Sequence, residues 1–277
     1  MLLAHGEVRS LGVEPPSLLA FGEEPKAKGV WAGRRLLSLN GKPAFELSFW
    51  CGTCQYLFRR LDGANETMSI DALEDNLALG LNGLDDDVID TFASMLPRGD
   101  YLPLLLTMTP RMASPAGPGD YFAEEQIATW GLDAFWGLPI YPSTPYYRTF
   151  ETRVSDDAHL FEFVVPMVPP SWNEATKVAL HSQRLQQSSL PTAVAVSTLD
   201  ICQPAMDNQS NDYYAHWGLT HFLLDGHHKM QAAADLGQPL RLLSLLSTDA
   251  SLAGAEQIAR LPILRAREAA RRGHLRP

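Results

Sequence analysis

The chain has 277 residues, of which 45% are apolar and 19% charged, and its formal net charge is −10. This apolar share is too high for a disordered chain, and the length allows one large domain or two ordinary ones. No run of 18 apolar residues occurs, which excludes a membrane-spanning helix. Glu7 and Arg9 interrupt the start too early for a secretory signal. The sequence therefore predicts a cytoplasmic protein with a substantial core.

Charge is unevenly distributed along the chain. Residues 251–277 contain six arginines and two glutamates, a net of +4, so the preceding part carries −14. An acidic body repels phosphate backbones, which argues against general nucleic-acid binding. The arginine-rich tail predicts a solvated helix packed beside the body, with contact to an acidic protein partner or RNA as the alternative.

The first half of the chain predicts mainly antiparallel strands. Two apolar runs, residues 30–39 and 43–50, flank Asn40 and Gly41, a pair typical of a tight hairpin turn. A short helix is predicted after Cys51, with residues 56–58 facing inward. The remaining elements predicted in chain order are a helix at 85–96, a strand at 100–109, a surface loop at 111–119, a helix at 121–130 and paired strands at 146–154 and 159–167.

Paired prolines at 169–170 mark the predicted domain boundary. Ser171 is then predicted to cap a helix that runs to 187, with Glu174 three positions later as in a capping box. The elements predicted after it are strands at 192–201, 218–224 and 240–247, a helix at 227–236 that ends at Gly237, and a last helix at 253–272 that Pro262 kinks or interrupts.

The stretch HFLLDGHHKM at residues 221–230 carries the strongest functional signal. A strand ends before Asp225, Gly226 makes a tight turn, and a helix begins directly afterwards. The first amides of a helix lack partners and carry the positive end of its dipole, so they attract phosphate or another anion. Asp225 offers a carboxylate that would bind Mg²⁺ or accept a proton. Three further donors lie on the first turn: His227, His228 and Lys229. A simple capping turn with surface histidines is the alternative interpretation.

The segment around DGHHK resembles the DGHHR-type motif of the ParB/sulfiredoxin-like fold, whose members include ParB partition proteins, sulfiredoxin and small free-serine kinases. The resemblance covers residues 174–247, where the predicted strands at 191–196 and 240–246 match strands of that fold. It implies a nucleotide-phosphate site at the start of the helix, with ATP or another nucleotide and Mg²⁺ as cofactors. The residues that it implies for phosphate binding are Gly226, His227, His228 and Lys229.

The chain departs from this motif at several positions. Lys229 replaces the usual arginine, so a two-pronged phosphate clamp becomes a point-charge contact. His227 occupies the position of the reactive cysteine of sulfiredoxin, so that reductase chemistry is not implied. A long insertion between residues 201 and 217 would form a lid or a substrate loop. The kinases of the fold use an acidic residue before the first strand, and Glu174 is its counterpart here.

A second motif, WCGTC at residues 50–54, is similar to the WCGxC motif of thioredoxins. A thiol at a helix start has a lowered pKa, but a predicted hairpin precedes this motif where a βαβ unit is expected for thioredoxin. Zinc would need two further ligands, and no second CxxC occurs. Packed structural thiols, a redox pair of Cys51 and Cys54, and a metal site are the alternatives. Three cysteines in total agree with a reducing compartment.

Together these patterns predict an α+β protein. A mainly antiparallel N-terminal domain, residues 1–168, carries the CxxC and packs on a ParB/sulfiredoxin-like domain at 169–250, and an arginine-rich helix follows at 251–277. The leading functional prediction is a nucleotide-dependent enzyme that acts on a small molecule, as a phosphotransferase. The residues assigned to catalysis are Asp225, His227 and Glu174, with Asp225 as the Mg²⁺ ligand and Glu174 as a base. The alternatives are a non-catalytic nucleotide-sensing module read by a protein partner, and a thiol redox protein.

Overall fold

The computed structural model describes residues 1–24, 33–51, 53–132, 139–187, 190–203 and 214–270. They form helices and two sheets, so the chain is an α+β protein. The strands are β1 (Leu2–His5), β2 (Arg9–Leu11), β3 (Leu19–Glu24), β4 (Arg34–Leu39), β5 (Lys42–Leu47), β6 (Phe58–Arg60), β7 (Gly99–Met108), β8 (Arg111–Ala113), β9 (Tyr146–Ser155), β10 (Ala158–Pro166), β11 (Thr192–Cys202), β12 (Ala215–Asp225) and β13 (Leu240–Ser247). The α-helices are α1 (Glu74–Leu79), α2 (Asp86–Ala93), α3 (Ile127–Trp130), α4 (Ala175–Gln186), α5 (His227–Leu236) and α6 (Ala255–Arg265).

Within the described residues, nine strands form one mixed sheet, named the large sheet below. Its order is β1-β7-β13-β11-β12-β10-β9-β8, and β2 also pairs with β7. The pairs β10–β12 and β11–β13 are parallel, whereas β11 and β12 are antiparallel. The strands β3-β4-β5-β6 form a separate antiparallel sheet, named the small sheet.

The large sheet contains strands from both sides of the predicted boundary at 168–169. β10 precedes that position and pairs with β12, which follows it, from Ala158 opposite Ala215 to Pro166 opposite Leu223. β7 likewise pairs with β13. The predicted boundary therefore falls between strands of one sheet.

Side chains of the large sheet divide between two hydrophobic clusters. Because successive side chains of a strand point to opposite faces, the longer strands contribute to both clusters. One face packs against the small sheet, as the ring centroids of Phe45 and Phe222 show at 4.9 Å. The other face packs against α5 and α6, where Leu223 shares a cluster with Met230 and Leu261. The layers are thus small sheet, large sheet and helices.

The predicted hairpin is confirmed by β4 and β5. Asn40 and Gly41 both have a positive φ, 50° and 71°, as a tight hairpin turn requires. Positions 30–32 of the predicted first strand lie outside the described residues.

In the first half, one prediction is wrong, and the predicted surface loop at 111–119 is wrong only in its first three residues. The described residues between Cys51 and β6 form no helix, and β6 instead pairs with the edge of β5, which satisfies backbone groups that would otherwise lack partners. Residues 56–58 are nevertheless buried, as predicted. The predicted surface loop at 111–119 begins with β8, which pairs with the edge of β9 for the same reason.

The other elements predicted before residue 168 and the strands after it are confirmed. Asp85 caps α2 by accepting a hydrogen bond from the Val88 amide at 3.1 Å. The predicted helix at 121–130 is a π-helix, Phe122–Gln126, that continues into α3. Gly237 ends α5 with φ +61°, as predicted.

The start predicted for α4 and the end predicted for α6 are wrong, whereas α4 ends at Gln186, one residue from the predicted end. Ser171 lies in a 3₁₀ turn, Pro170–Trp172, and Glu174 occupies the N-cap position of α4 without a side-chain cap, so the capping box does not form. The paired prolines start this separate turn, and the chain is extended again at Asn173 before α4 begins. α6 contains Pro262 but ends at Arg265 instead of continuing to 272.

The described part of the arginine-rich segment packs on the body. Arg260 donates a hydrogen bond to the Val154 carbonyl, and Arg267 donates to the Arg153 carbonyl, both on β9. Residues 271–277, which hold the remaining arginines of the tail, lie outside the described residues, as do residues 204–213 of the predicted lid.

Candidate functional site

The turn between β12 and α5 has the geometry that the sequence predicts. Gly226 has φ +94°, and a Cβ added there would lie 2.7 Å from the Cβ of Ala193, so only glycine fits without a shift. The first hydrogen bond of the α5 ladder runs from the Met230 amide to the Gly226 carbonyl at 2.8 Å. The amides of residues 227–229 precede this ladder, and Gly226 has no side chain to cap them. Residues 225–229 are named the α5 corner below.

The acid and the lysine of the α5 corner bind each other. The Lys229 Nζ lies 3.1 Å from Asp225 Oδ2 and also donates to the Thr192 carbonyl at 3.1 Å. The Ser69 hydroxyl donates to Asp225 Oδ1 at 2.8 Å. Asp225 and Lys229 are both buried. The charged groups of both side chains are therefore bonded to other groups of the protein. These bonds hold the turn against β11 and the segment around Ser69.

His227 is also engaged by the protein. Its Nε2 accepts a hydrogen bond from the Met167 amide at 3.1 Å, which places the proton of the neutral ring on Nδ1. Burial lowers the pKa of His227 to about 4, although the charge of Asp225 opposes this shift. His227 is thus a neutral, buried ring that joins α5 to the end of β10, and the predicted catalytic role would have to act through Nδ1.

The backbone of Glu174 is hydrogen-bonded to the α5 corner, whereas its side chain points to solvent. Its amide donates to His228 Nε2 at 3.1 Å, while its carboxylate accepts from Lys177 Nζ at 2.6 Å and is exposed. The hydrogen bond and the charge of Lys177 lower the pKa of Glu174, which weakens it as a base. The sequence-predicted residues Asp225, Glu174 and the α5 turn are therefore brought together, but the predicted base is ion-paired.

Basic side chains of α4 face this corner, and sequence reasoning missed them. Burial, and then the charges of Lys229 and Arg184, lower the pKa of His181 to about 4. The Nδ1 of His181 is buried and has no hydrogen-bond partner among the described residues. His228 is half-buried, and burial followed by the charge of Lys177 lowers its pKa. Lys177, His181 and Arg184 follow an i, i+4, i+7 spacing, so the predicted helix already placed them on one face.

The carboxylate that the corner offers to a magnesium ion is that of Asp225. Mg²⁺ prefers oxygen ligands in an octahedral arrangement. Both oxygens of Asp225 already accept hydrogen bonds, from Ser69 and Lys229. Nowhere in the described part of the chain do three or more side chains of His, Cys, Asp or Glu gather as metal ligands. The corner residues do not fit a protein-held magnesium ion.

A buried polar chain crosses the large sheet beneath α6. Ser197 Oγ lies 2.7 Å from His221 Nδ1, and His221 Nε2 lies 3.1 Å from Glu162 Oε1. All three side chains are fully buried, and Ser197 is also hydrogen-bonded to Ser244 at 2.8 Å. The order serine–histidine–acid is that of a hydrolytic triad, but a substrate has no access to this serine, so the chain is part of the core.

Cys51 and Cys54 lie away from the α5 corner, on the loop between β5 and β6. Their sulfurs are 2.7 Å apart, and Cys51 is exposed whereas Cys54 is partly buried. Cys202 is a buried free thiol at the end of β11. The sulfurs of Cys51 and Cys54 are thus adjacent, and both residues are free thiols.

No protein-family model, curated protein or solved structure matches the chain. The comparisons therefore add nothing to the resemblance of the DGHHK segment to the ParB/sulfiredoxin-like fold. No helix in the described ranges is long and apolar enough to cross a membrane.

Proposed function

We propose that the protein binds a nucleotide, with its phosphate groups at the α5 corner. Two observations support this proposal: the amides of residues 227–229 have no side-chain cap, and α4 packs on α5. The side of α4 that carries Lys177, His181 and Arg184 is named the basic face of α4 below, and its Lys177 and His181 lie near enough to the α5 corner to interact with His228 and Lys229. Amides at a helix start stabilise an anion, and nearby cations add to this effect. His228 is half-buried at this position, so it offers a group that a bound phosphate can reach.

The side chains on α4 would complete the contact. The Lys177 ammonium is exposed and can move from Glu174 to a phosphate, because surface ion pairs of this kind contribute little. The unpartnered Nδ1 of His181 would gain a hydrogen bond from a ligand hydroxyl or give one to a phosphate oxygen. The charge of the buried Lys229 would also attract the phosphate, while its contact with Asp225 keeps the turn in place.

A nucleotide-dependent phosphotransferase that acts on a small molecule is the first form of this proposal. It needs a base, and the nearest carboxylates are occupied: Asp225 by Ser69 and Lys229, Glu174 by Lys177. These contacts favour the second form, a non-catalytic module in which nucleotide binding changes the packing of α4 on α5. A protein partner would then bind one of the two arrangements of α4 in preference to the other.

Calorimetry with ATP, ADP and CTP, each with and without Mg²⁺, tests the binding step. We expect binding by the native protein and a loss of roughly tenfold in affinity for Lys177→Met, because one charged phosphate contact is removed. The matched control is Lys42→Met, which removes an exposed lysine on the small sheet and should leave binding unchanged. No binding of any nucleotide, or equal weakening in both variants, contradicts the proposal.

Phosphate release in the presence of candidate small-molecule acceptors distinguishes the phosphotransferase from the non-catalytic sensing module. Turnover that Asp225→Asn abolishes, in a variant that still binds nucleotide, supports phosphotransfer. Binding without turnover supports the sensing form. Addition of Mg²⁺ that changes neither binding nor turnover would agree with the occupied oxygens of Asp225.

A further inference from the structure

The loop between β5 and β6 holds its two cysteines on a fixed base. Ser48 and Leu57 close this base, since the Leu57 amide donates to Ser48 Oγ at 2.8 Å and the Ser48 hydroxyl donates to the Leu57 carbonyl at 3.2 Å. The buried Arg35 side chain also donates to the Ser48 carbonyl at 2.7 Å. The base is therefore anchored in the small sheet, and the segment with Cys51 and Cys54 extends from it.

The two thiols differ in exposure and in acidity. Cys51 is exposed, and Trp50 beside it is 48% exposed, so a partner has access to this sulfur. Burial alone would raise the pKa of Cys51, but hydrogen bonds from Cys54 and Thr53 lower it below its usual value. Burial and the bond to Cys51 raise the pKa of Cys54 to about 12. Cys51 is thus the more acidic thiol of the pair, and Cys54 is the less acidic one.

We propose that Cys51 and Cys54 form a thiol–disulfide exchange site that reduces an accessible disulfide. The proximity of the two sulfurs supports it, because a second thiol at 2.7 Å can resolve a mixed disulfide without a large movement. The site is separate from the α5 corner and does not depend on nucleotide binding.

The exchange has two balanced steps. The Cys51 thiolate attacks one sulfur of a substrate disulfide and forms a mixed disulfide, the substrate S–S bond breaks, and the other substrate sulfur leaves as a thiolate that takes a proton from water. Cys54 then gives its proton to solvent and attacks Cys51 Sγ, which releases the second substrate thiol. Two electrons pass from the cysteine pair to the substrate, and the Cys51–Cys54 disulfide remains. A dithiol or glutathione reduces it again.

The chain provides a matched control in Cys202. It is 1% exposed, and burial raises the pKa of its thiol. Cys202→Ala should therefore leave exchange unchanged, whereas Cys51→Ser should abolish it. Cys54→Ser keeps the attacking thiol and lacks the resolving one, so it should stop at the mixed disulfide.

The experiment is mass spectrometry of the reduced full chain after incubation with oxidised glutathione. We expect the native protein and Cys202→Ala to form the Cys51–Cys54 disulfide and release two equivalents of glutathione thiol. We expect Cys54→Ser to retain one glutathione on Cys51, and excess reduced glutathione to reverse both products. A second arm with a disulfide-bonded protein substrate shows whether the site also accepts a macromolecular disulfide.

Three outcomes would overturn the proposal. The first is a native protein that keeps glutathione on Cys51 without closing the pair. The second is no reaction with either disulfide. The third is a Cys51–Cys54 bond that excess reduced glutathione does not open, which would make it structural. Circular dichroism of each variant checks the fold, and alkylation of Cys51 in the native chain gives an independent block of the same atom.

Discussion

Arg35 and Asp200 are 165 positions apart in the chain, yet Arg35 Nη2 lies 2.6 Å from Asp200 Oδ1 in a buried ion pair. Arg35 belongs to β4 of the small sheet and Asp200 to β11 of the large sheet. Arg35 also donates to the Ala250 carbonyl at 2.7 Å, and Asp200 accepts from the Leu252 amide at 3.1 Å. This group of contacts joins the two sheets at the segment that follows β13.

Removal of Arg35 should destabilise the protein strongly. Arg35→Met leaves the buried Asp200 carboxylate without its counter-ion, which costs about 3–5 kcal/mol of unfolding free energy. The control is the neighbouring Arg34→Met, whose side chain is 34% exposed. It removes ion pairs to Glu24 and to the buried Glu46, but Glu46 keeps its ion pair with Arg59, so the cost should be less than about 1 kcal/mol. Urea unfolding of both variants measures the difference. Equal losses would show that the Arg35–Asp200 pair does not carry the predicted stabilisation.

Glu162 and Arg265 form a second buried ion pair, on the opposite face of the large sheet, with Arg265 Nε 3.0 Å from Glu162 Oε1. Burial alone would raise the pKa of Glu162, but the charge of Arg265 and hydrogen bonds from His221 and Thr149 lower it to about 2. Glu162→Gln should therefore cost about 3 kcal/mol or more, since the Arg265 charge remains buried.

A double-mutant cycle separates this pair from general packing. Arg265→Met in the Glu162→Gln background removes the second charge, so the double variant should be more stable than the sum of the two single losses predicts. Because the pKa of Glu162 is lowered on folding, its contribution is present above about pH 4.5 and is lost as the pH falls towards 2. Additive single losses, measured in urea at pH 7, would contradict the proposed pairing.

The sequence predicted most elements because their patterns are local. The Asn40-Gly41 turn and the Gly237 cap need only the conformations of their own residues, and both were predicted correctly. The order of the large sheet depends on contacts between distant segments, such as β7 with β13, and no short pattern encodes that order. The wrong helix after Cys51 has the same cause, because the edge of β5 becomes a partner only after the small sheet has formed.

The turn at the α5 corner was predicted in its local geometry but not in its contacts. DGHHK correctly placed a glycine turn before a helix. The partners of Asp225 and Lys229 could not be predicted, because Ser69 and Thr192 reach them from other parts of the chain. The spacing of Lys177 and His181 on a predicted helix already placed them on one face of α4. Only the packing of α4 on α5 shows that this face lies beside the α5 corner.

His227 predicts a measurable dependence of stability on pH. Its pKa falls from an ordinary 6.5 to about 4 on folding, so the unfolded chain binds more protons between these values. Stability should therefore fall as the pH decreases from 6.5 to 4, with about 3 kcal/mol from this residue. His227→Gln keeps an acceptor for the Met167 amide and should flatten the curve in that window. Urea unfolding from pH 7 to 4 measures it, and an unchanged slope in the variant would contradict the assignment. The pKa of His181 is also lowered to about 4, so His181→Gln is measured in parallel to separate its contribution to the slope from that of His227.

Gly226 and Gly237 provide a matched pair at the two ends of α5, since both have positive φ, +94° and +61°. At Gly237 an added Cβ meets nothing within 4 Å, so Gly237→Ala should cost only the conformational penalty of about 1 kcal/mol. At Gly226 the same atom would lie 2.7 Å from the Cβ of Ala193 and 3.0 Å from its Cα, and β11 cannot yield at this buried position. Gly226→Ala should therefore cost about 2 kcal/mol more than Gly237→Ala in urea unfolding.

The same pair of variants tests whether the exact turn matters for the α5 corner. Gly226→Ala must shift the turn away from Ala193, and this movement displaces the amides of residues 227–229 from the basic face of α4. Nucleotide affinity, measured by calorimetry at a temperature where both variants are folded, should fall at least about tenfold in Gly226→Ala and stay native in Gly237→Ala. Equal affinities would show that the amides of the first turn do not contact the ligand, because only one of the two substitutions moves them.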